Sequence, residues 1–140
     1  MQIFRTLSEE ETEKIGGRLA VSLKGNEVIA LSGGLGAGKT AFTRGFCAAL
    51  GVDDGVSSPT FALVHEYSGK FPVYHFDMYR VTSWDDLYTT GFFDYMDSGI
   101  LIIEWSENIV EFLPEKRINV AIETVSDNER EIRIEGADRL

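Results

Sequence analysis

Cysteine is nearly absent from this chain: Cys47 stands alone among 140 residues. One thiol can form neither an internal disulfide nor a cysteine metal cluster. Its place in an apolar helical pattern reads as a small core residue. Long hydrophobic runs are missing too. The longest aliphatic stretches are short, such as Ile100-Leu101-Ile102-Ile103, whereas a membrane-spanning helix needs roughly 20 apolar residues. The segment Met1 to Thr6 lacks the basic-then-apolar pattern of a secretory signal, so no membrane role and a cytoplasmic location are expected. Positive charge is scarce: 13 Lys and Arg stand against 23 Asp and Glu, a formal net charge of −10. An acidic surface repels nucleic acid and anionic membrane, so any role near RNA needs a partner to hold the RNA. There is no repeat, low-complexity run or linker, and residues 1–140 are expected to form one domain with a proper core.

What is present alternates between helical and extended patterns. Ser8-Glu9-Glu10-Glu11 reads as a capping box with Ser8 as N-cap. The helix it opens is predicted to run to about Lys24, to bury Ile15, Leu19, Val21 and Leu23, and to stop at Gly25-Asn26. Val28-Ile29-Ala30-Leu31 reads as a strand buried on both faces. Phe42, Phe46, Ala49 and Leu50 form the apolar stripe of the next helix, and Gly51 ends it. Phe61 to Tyr67 and Phe71 to Phe76, separated by Ser68-Gly69-Lys70, carry a hairpin signal. Ser83 starts a short helix, Ile100 to Ile103 is a second fully buried strand, and Ile118 to Thr124 with Glu131 to Glu135 form a half-exposed terminal hairpin. This order predicts an α/β fold whose sheet is partly parallel, with antiparallel additions.

Between the first buried strand and its helix, Gly33-Gly34-Leu35-Gly36-Ala37-Gly38-Lys39-Thr40 matches G-x-x-x-x-G-K-[ST]. Glycines let such a loop turn with positive φ and bring backbone N–H groups to phosphates. The helix that follows points its positive end at the same anion. In this pattern Lys39 reaches the β and γ phosphates and the Thr40 hydroxyl ligates Mg²⁺. ATP and Mg²⁺ are the expected ligands, on a P-loop NTPase-like, three-layer domain with a mixed sheet and antiparallel hairpins.

A phosphate loop of this kind also needs an acidic group for the metal shell or the attacking water. Two acids follow apolar runs: Glu104 after Ile100 to Ile103, and Asp77 after Val73-Tyr74-His75-Phe76. Both suit the carboxyl ends of strands parallel to the first, where ligands of open α/β sheets sit. Glu104 has the stronger case because its strand is apolar on both faces. His75 shares a strand face with Asp77 and is read as structural. Ser57-Ser58-Pro59-Thr60 reads as an ordinary turn, although nucleotide switches carry a γ-phosphate-sensing hydroxyl at this place.

The chain resembles the TsaE family (also called YjeE), the P-loop ATPase of bacterial threonylcarbamoyladenosine tRNA modification. The likeness runs nearly end to end. Its segments are Leu35-Gly36-Ala37-Gly38-Lys39-Thr40 with Thr43-Arg44-Gly45, Ser58-Pro59-Thr60-Phe61, His75-Phe76-Asp77-Met78-Tyr79-Arg80, Gly91 with Asp94-Tyr95, and Ile103-Glu104-Trp105. The resemblance implies that Thr40 and Glu104 bind Mg²⁺, that Asp77 is needed for hydrolysis, and that Thr60 lies in a switch-like loop. It places Trp105 beside the nucleotide and, by looser matches, Ser8 and Arg130 near it. Residues 35–41, from Leu35 through Gly36, Ala37, Gly38, Lys39 and Thr40 to Ala41, would cradle the phosphates, and Lys39, Asp77 and Glu104 would carry the chemistry. It implies TsaD and TsaB as partners, with tRNA met only through their complex. Two positions depart from the family: Gly34 stands where an acid is usual, and Ala41 where a hydroxyl is usual.

The other readings of a phosphate loop are a small-molecule kinase and a GTPase. A kinase needs a lid and several arginines over a second substrate, and no arginine-rich lid is visible. A GTPase needs an N-K-x-D-like segment, and none follows Glu104.

Overall fold

The computed structural model describes residues 1–34, 36–52 and 64–140. The expectations for Leu35, for Thr60 with its Ser57-Ser58-Pro59 turn, and for the Phe61 end of the first hairpin strand lie outside these described residues. The elements, in chain order, are β1 (Gln2–Thr6), α1 (Glu9–Val21), β2 (Val28–Ser32), α2 (Lys39–Ala49), β3 (Val64–Ser68), β4 (Pro72–Asp77), α3 (Trp84–Thr89), β5 (Ile100–Glu104), β6 (Ile118–Thr124) and β7 (Arg130–Glu135). Short 3-10 turns at Phe92–Tyr95, Ser106–Asn108 and Val110–Phe112 complete the set.

Among the described residues, seven strands share one mixed sheet in the order β1-β7-β6-β2-β5-β4-β3. The centre is parallel: β2 pairs with β5 and β6, and β5 pairs with β4. Antiparallel hairpins extend both sides, β3–β4 at one and β6–β7 at the other. The α/β fold with a partly parallel sheet is therefore the one expected. Alternation along the central strands makes three layers. Ile29, Leu31, Ile100 and Ile102 join the core under α1 and α2, with Phe42 and Phe46. Val28, Ala30, Leu101 and Ile103 join a second core with Leu87 of α3, Phe92 and Ile109. Both faces of β2 and β5 are thus buried, which explains their unbroken apolar runs.

The α1–α2 contact is built on glycine. A Cβ on Gly16 would lie 2.2 Å from the Phe42 carbonyl oxygen, and one on Gly45 would lie 2.0 Å from that of Glu13. Only hydrogen at both positions lets the two backbones approach this closely.

Several expectations are corrected. α1 ends at Val21, three residues before Lys24, because the Ser22 amide and hydroxyl both turn back to the Leu19 carbonyl oxygen. Val21 is 71% exposed, and Ala49 is also exposed, so neither belongs to its helix's buried stripe. The strand β1 was not anticipated. It pairs with β7, from the other end of the chain, and no local pattern signals a partner that distant.

Candidate functional site

The loop between β2 and α2 leaves the sheet at the carboxyl end of its parallel strands. Gly38 is the N-cap of α2 with φ of 99°, a conformation that favours glycine. It offers no side-chain cap, whereas Ser8 and Ser83 cap α1 and α3 with their hydroxyls. The first amides of a helix have no intrahelical acceptor; at α2 these belong to Lys39, Thr40 and Ala41, which border the cleft together with Gly36, Ala37 and Gly38. Ala41 is buried and keeps its backbone N–H in this row. Lys39 is 93% buried: its Nζ donates to the Gly33 carbonyl oxygen at 2.9 Å and sits 4.0 Å from the centre of the Trp105 ring.

The two acids meet as expected. Asp77 and Glu104 are register partners at the ends of parallel β4 and β5, and both line the same cleft of about 610 Å³. An Asp77 oxygen accepts from the Tyr79 amide at 2.9 Å, tightening the turn out of β4. Glu104 is buried, and its Oε2 lies 3.1 Å from Nε2 of the fully buried His75.

Trp105 follows Glu104 with φ of 56° and ψ of 39°, left-handed backbone for a bulky residue. Neighbouring contacts hold it there. The Ser106 hydroxyl donates to the Leu31 carbonyl oxygen at 2.9 Å, and the Asn108 side-chain Nδ2 donates to the Met78 carbonyl oxygen at 2.8 Å. The Tyr79 ring packs 5.0 Å from the indole. Ser8 and Arg130 also line the cleft. Ser8 Oγ accepts from the Glu11 amide at 3.2 Å. The Arg130 guanidinium donates to the carbonyl oxygens of Ser126, Asp127 and Glu129 and, at 3.3 Å, to that of Gly36. It thereby ties the β6–β7 turn to the phosphate loop.

One cleft thus gathers every described residue that sequence reasoning nominated: Ser8, Gly36, Ala37, Gly38, Lys39, Thr40, Ala41, Asp77, Glu104, Trp105 and Arg130. Arg44 also borders it, with its guanidinium 2.8 Å from Glu13 Oε1. Arg80 is exposed and makes no ion pair among the described residues. Sequence reasoning missed the His75–Glu104 contact and the bracing by Ser106 and Asn108, since each depends on strand register or on a distant carbonyl. Cys47 is buried as expected, and burial pushes its thiol up to about 12.

The donor set suits magnesium taken in with phosphates. Thr40, Asp77 and Glu104 offer oxygen only, which hard divalent cations prefer. Among the described residues there is no group of three or more His, Cys, Asp or Glu able to cage a metal. Magnesium beside nucleotides needs only one or two protein oxygens, with phosphates and water supplying the rest. No described helix is long and apolar enough to cross a membrane.

Comparison with known proteins covers nearly the whole chain. Residues 6–132 match the family model described as threonylcarbamoyl adenosine biosynthesis protein TsaE. The tRNA threonylcarbamoyladenosine biosynthesis protein TsaE of Bacillus subtilis (strain 168) is 41% identical over 131 residues, covering 92% of this chain and 82% of its own. That of Aquifex aeolicus (strain VF5) is 40% identical over 132 residues, covering 91% and 90%. The crystal structure of Bacillus subtilis YdiB superposes with a TM-score of 0.73 at 38% identity, covering 94% of this chain and 82% of that one. A match of this extent, carried on the fold and cleft described above, means that the chain belongs to the TsaE family of tRNA threonylcarbamoyladenosine biosynthesis proteins.

Proposed function

We propose that this chain is the Mg²⁺-dependent ATP-binding and hydrolysing subunit that supports a TsaD–TsaB complex in threonylcarbamoyladenosine modification of tRNA beside the anticodon, and that it works in the cytoplasm. The single observation that carries the reading is the convergence of the α2 N-terminus, Lys39, Asp77 and Glu104 on one cleft. The amides of Lys39, Thr40 and Ala41 bind phosphate oxygens along the helix dipole. Lys39 exchanges the Gly33 carbonyl oxygen for the β and γ phosphates. Thr40 and Glu104 would hold the metal, which when bound spreads the charge that builds on the phosphate oxygens. Asp77, next to Glu104 in register, orients the attacking water.

Turnover by the isolated chain is slow in this account. An arginine aimed at the transferring phosphoryl group adds roughly 10³-fold or more to such reactions. Here Arg44 is engaged with Glu13, and Arg80 is exposed. A group donated by the partners, or an ordering effect of docking, then supplies the acceleration. The test separates binding from chemistry. Asp77→Ala and Glu104→Ala are expected to retain nucleotide affinity by calorimetry while losing steady-state phosphate release, with or without TsaD and TsaB. Hydrolysis by Asp77→Ala at the parent rate would return Asp77 to a structural role.

A further inference from the structure

His75 is fully buried on β4, and nothing in the nucleotide chemistry above uses it. Its Nε2 lies 3.1 Å from Glu104 Oε2. Its Nδ1 is buried with no hydrogen-bond partner among the described residues. The rings of His65 and Tyr67, from β3, lie 6.4 and 6.3 Å from the imidazole and wall it in. Glu104 is buried at the edge of the cleft, and His75 is its one salt-bridge partner among the described residues. A buried carboxylate is tolerated only when hydrogen-bonded.

Against an ionised carboxylate, which only accepts, Nε2 would carry the proton and donate it. Nδ1 is then a bare lone pair, which is cheaper to bury unpartnered than an orphaned N–H. For packing alone, a position on the Val73 face of β4, beside Ile102 of β5, would be filled better by leucine, with no orphan nitrogen. The imidazole compensates for its unpaired atom only through Glu104.

We infer that His75 is a positioning residue for Glu104: its Nε2–H holds one carboxylate oxygen, so that the other is presented to the cleft in one orientation. This rests on the reading of Glu104 as a magnesium ligand. The Glu104 backbone is held independently, its carbonyl oxygen accepting from the Met78 amide at 3.0 Å. The side-chain torsions are what His75 adds. Hydrogen-bond partners that orient metal ligands are typically worth 10–100-fold in metal affinity.

The experiment compares the parent with His75→Leu, which fills the volume without a donor, and His75→Gln, whose amide nitrogen can stand in for Nε2–H. Calorimetry measures ADP affinity without metal, and electron paramagnetic resonance measures Mn²⁺ affinity in the presence of ADP. His75→Leu is expected to bind metal-free ADP within about twofold of the parent and Mn²⁺ about 10–100-fold more weakly, with His75→Gln recovering most of the loss. ATP turnover should fall in kcat, with little change in KM. Undiminished Mn²⁺ affinity in His75→Leu, or no recovery in His75→Gln, would overturn the positioning role while leaving the nucleotide reading intact. A parent that binds no Mn²⁺ with ADP would overturn both. Imidazole ¹⁵N NMR on the parent needs no variant to fold: a protonated Nε2 with bare Nδ1 is expected, and the opposite tautomer refutes the inference.

Discussion

At the scale of single residues, the Lys39 ammonium is shared between the Gly33 carbonyl oxygen and the face of Trp105. Contacts of an ammonium with an indole contribute about 0.5–2 kcal/mol, depending on desolvation. Phosphates compete with both partners, so nucleotide binding should draw the ammonium off the ring. In a Trp84→Phe background Trp105 is the one remaining tryptophan, and its emission should change saturably as ADP is added. Emission unmoved at saturating nucleotide would mean that Lys39 stays on the indole. The phosphate loop, Asp77 and Glu104 were legible in the sequence because each depends on neighbours a few residues away. The bond from His75 to Glu104 was not. It spans 29 residues and exists only because β4 and β5 lie side by side in one register.

At the scale of elements, the helix starts at Ser8 and Ser83 were equally legible or nearly so, since a cap is a local contract between a hydroxyl and an amide three residues on. The exit from α1 was less so. There Glu27 reaches back, and its carboxylate accepts from the amides of Lys24, Gly25 and Asn26. Burial alone raises its pKa, but these backbone bonds outweigh that and leave it below the ordinary glutamate range. A depressed folded pKa gives stability that is present above the unfolded value and lost as pH falls through the folded one. Glu27→Gln should therefore cost about 1 kcal/mol at neutral pH, discounted for partial exposure. The gap between variant and parent should close in acid, below the usual glutamate pKa. Urea melts at several pH values check this, and a gap independent of pH would exclude the carboxylate as its source. The missed strand β1 has the same physical origin as the missed histidine contact: its partner β7 comes from the other end of the chain.

At the scale of the whole molecule, the sheet brings loops from five separate parts of the chain to one cleft, and the charge of the surface sets what can approach. With a formal net charge of −10, long-range repulsion opposes the tRNA backbone. Filter binding at physiological salt should show no appreciable complex between the isolated chain and a tRNA carrying the target anticodon loop. Tight, salt-sensitive binding would reveal a basic face that the composition hides. The central claim, that this cleft takes Mg²⁺-ATP through Lys39 and the α2 amides, is tested most directly by titration calorimetry of Mg²⁺-ATP into the parent and into Lys39→Ala. Saturable heat with the parent and almost none with Lys39→Ala is the predicted result; a parent that does not bind, or a Lys39→Ala protein of unchanged affinity, would contradict it.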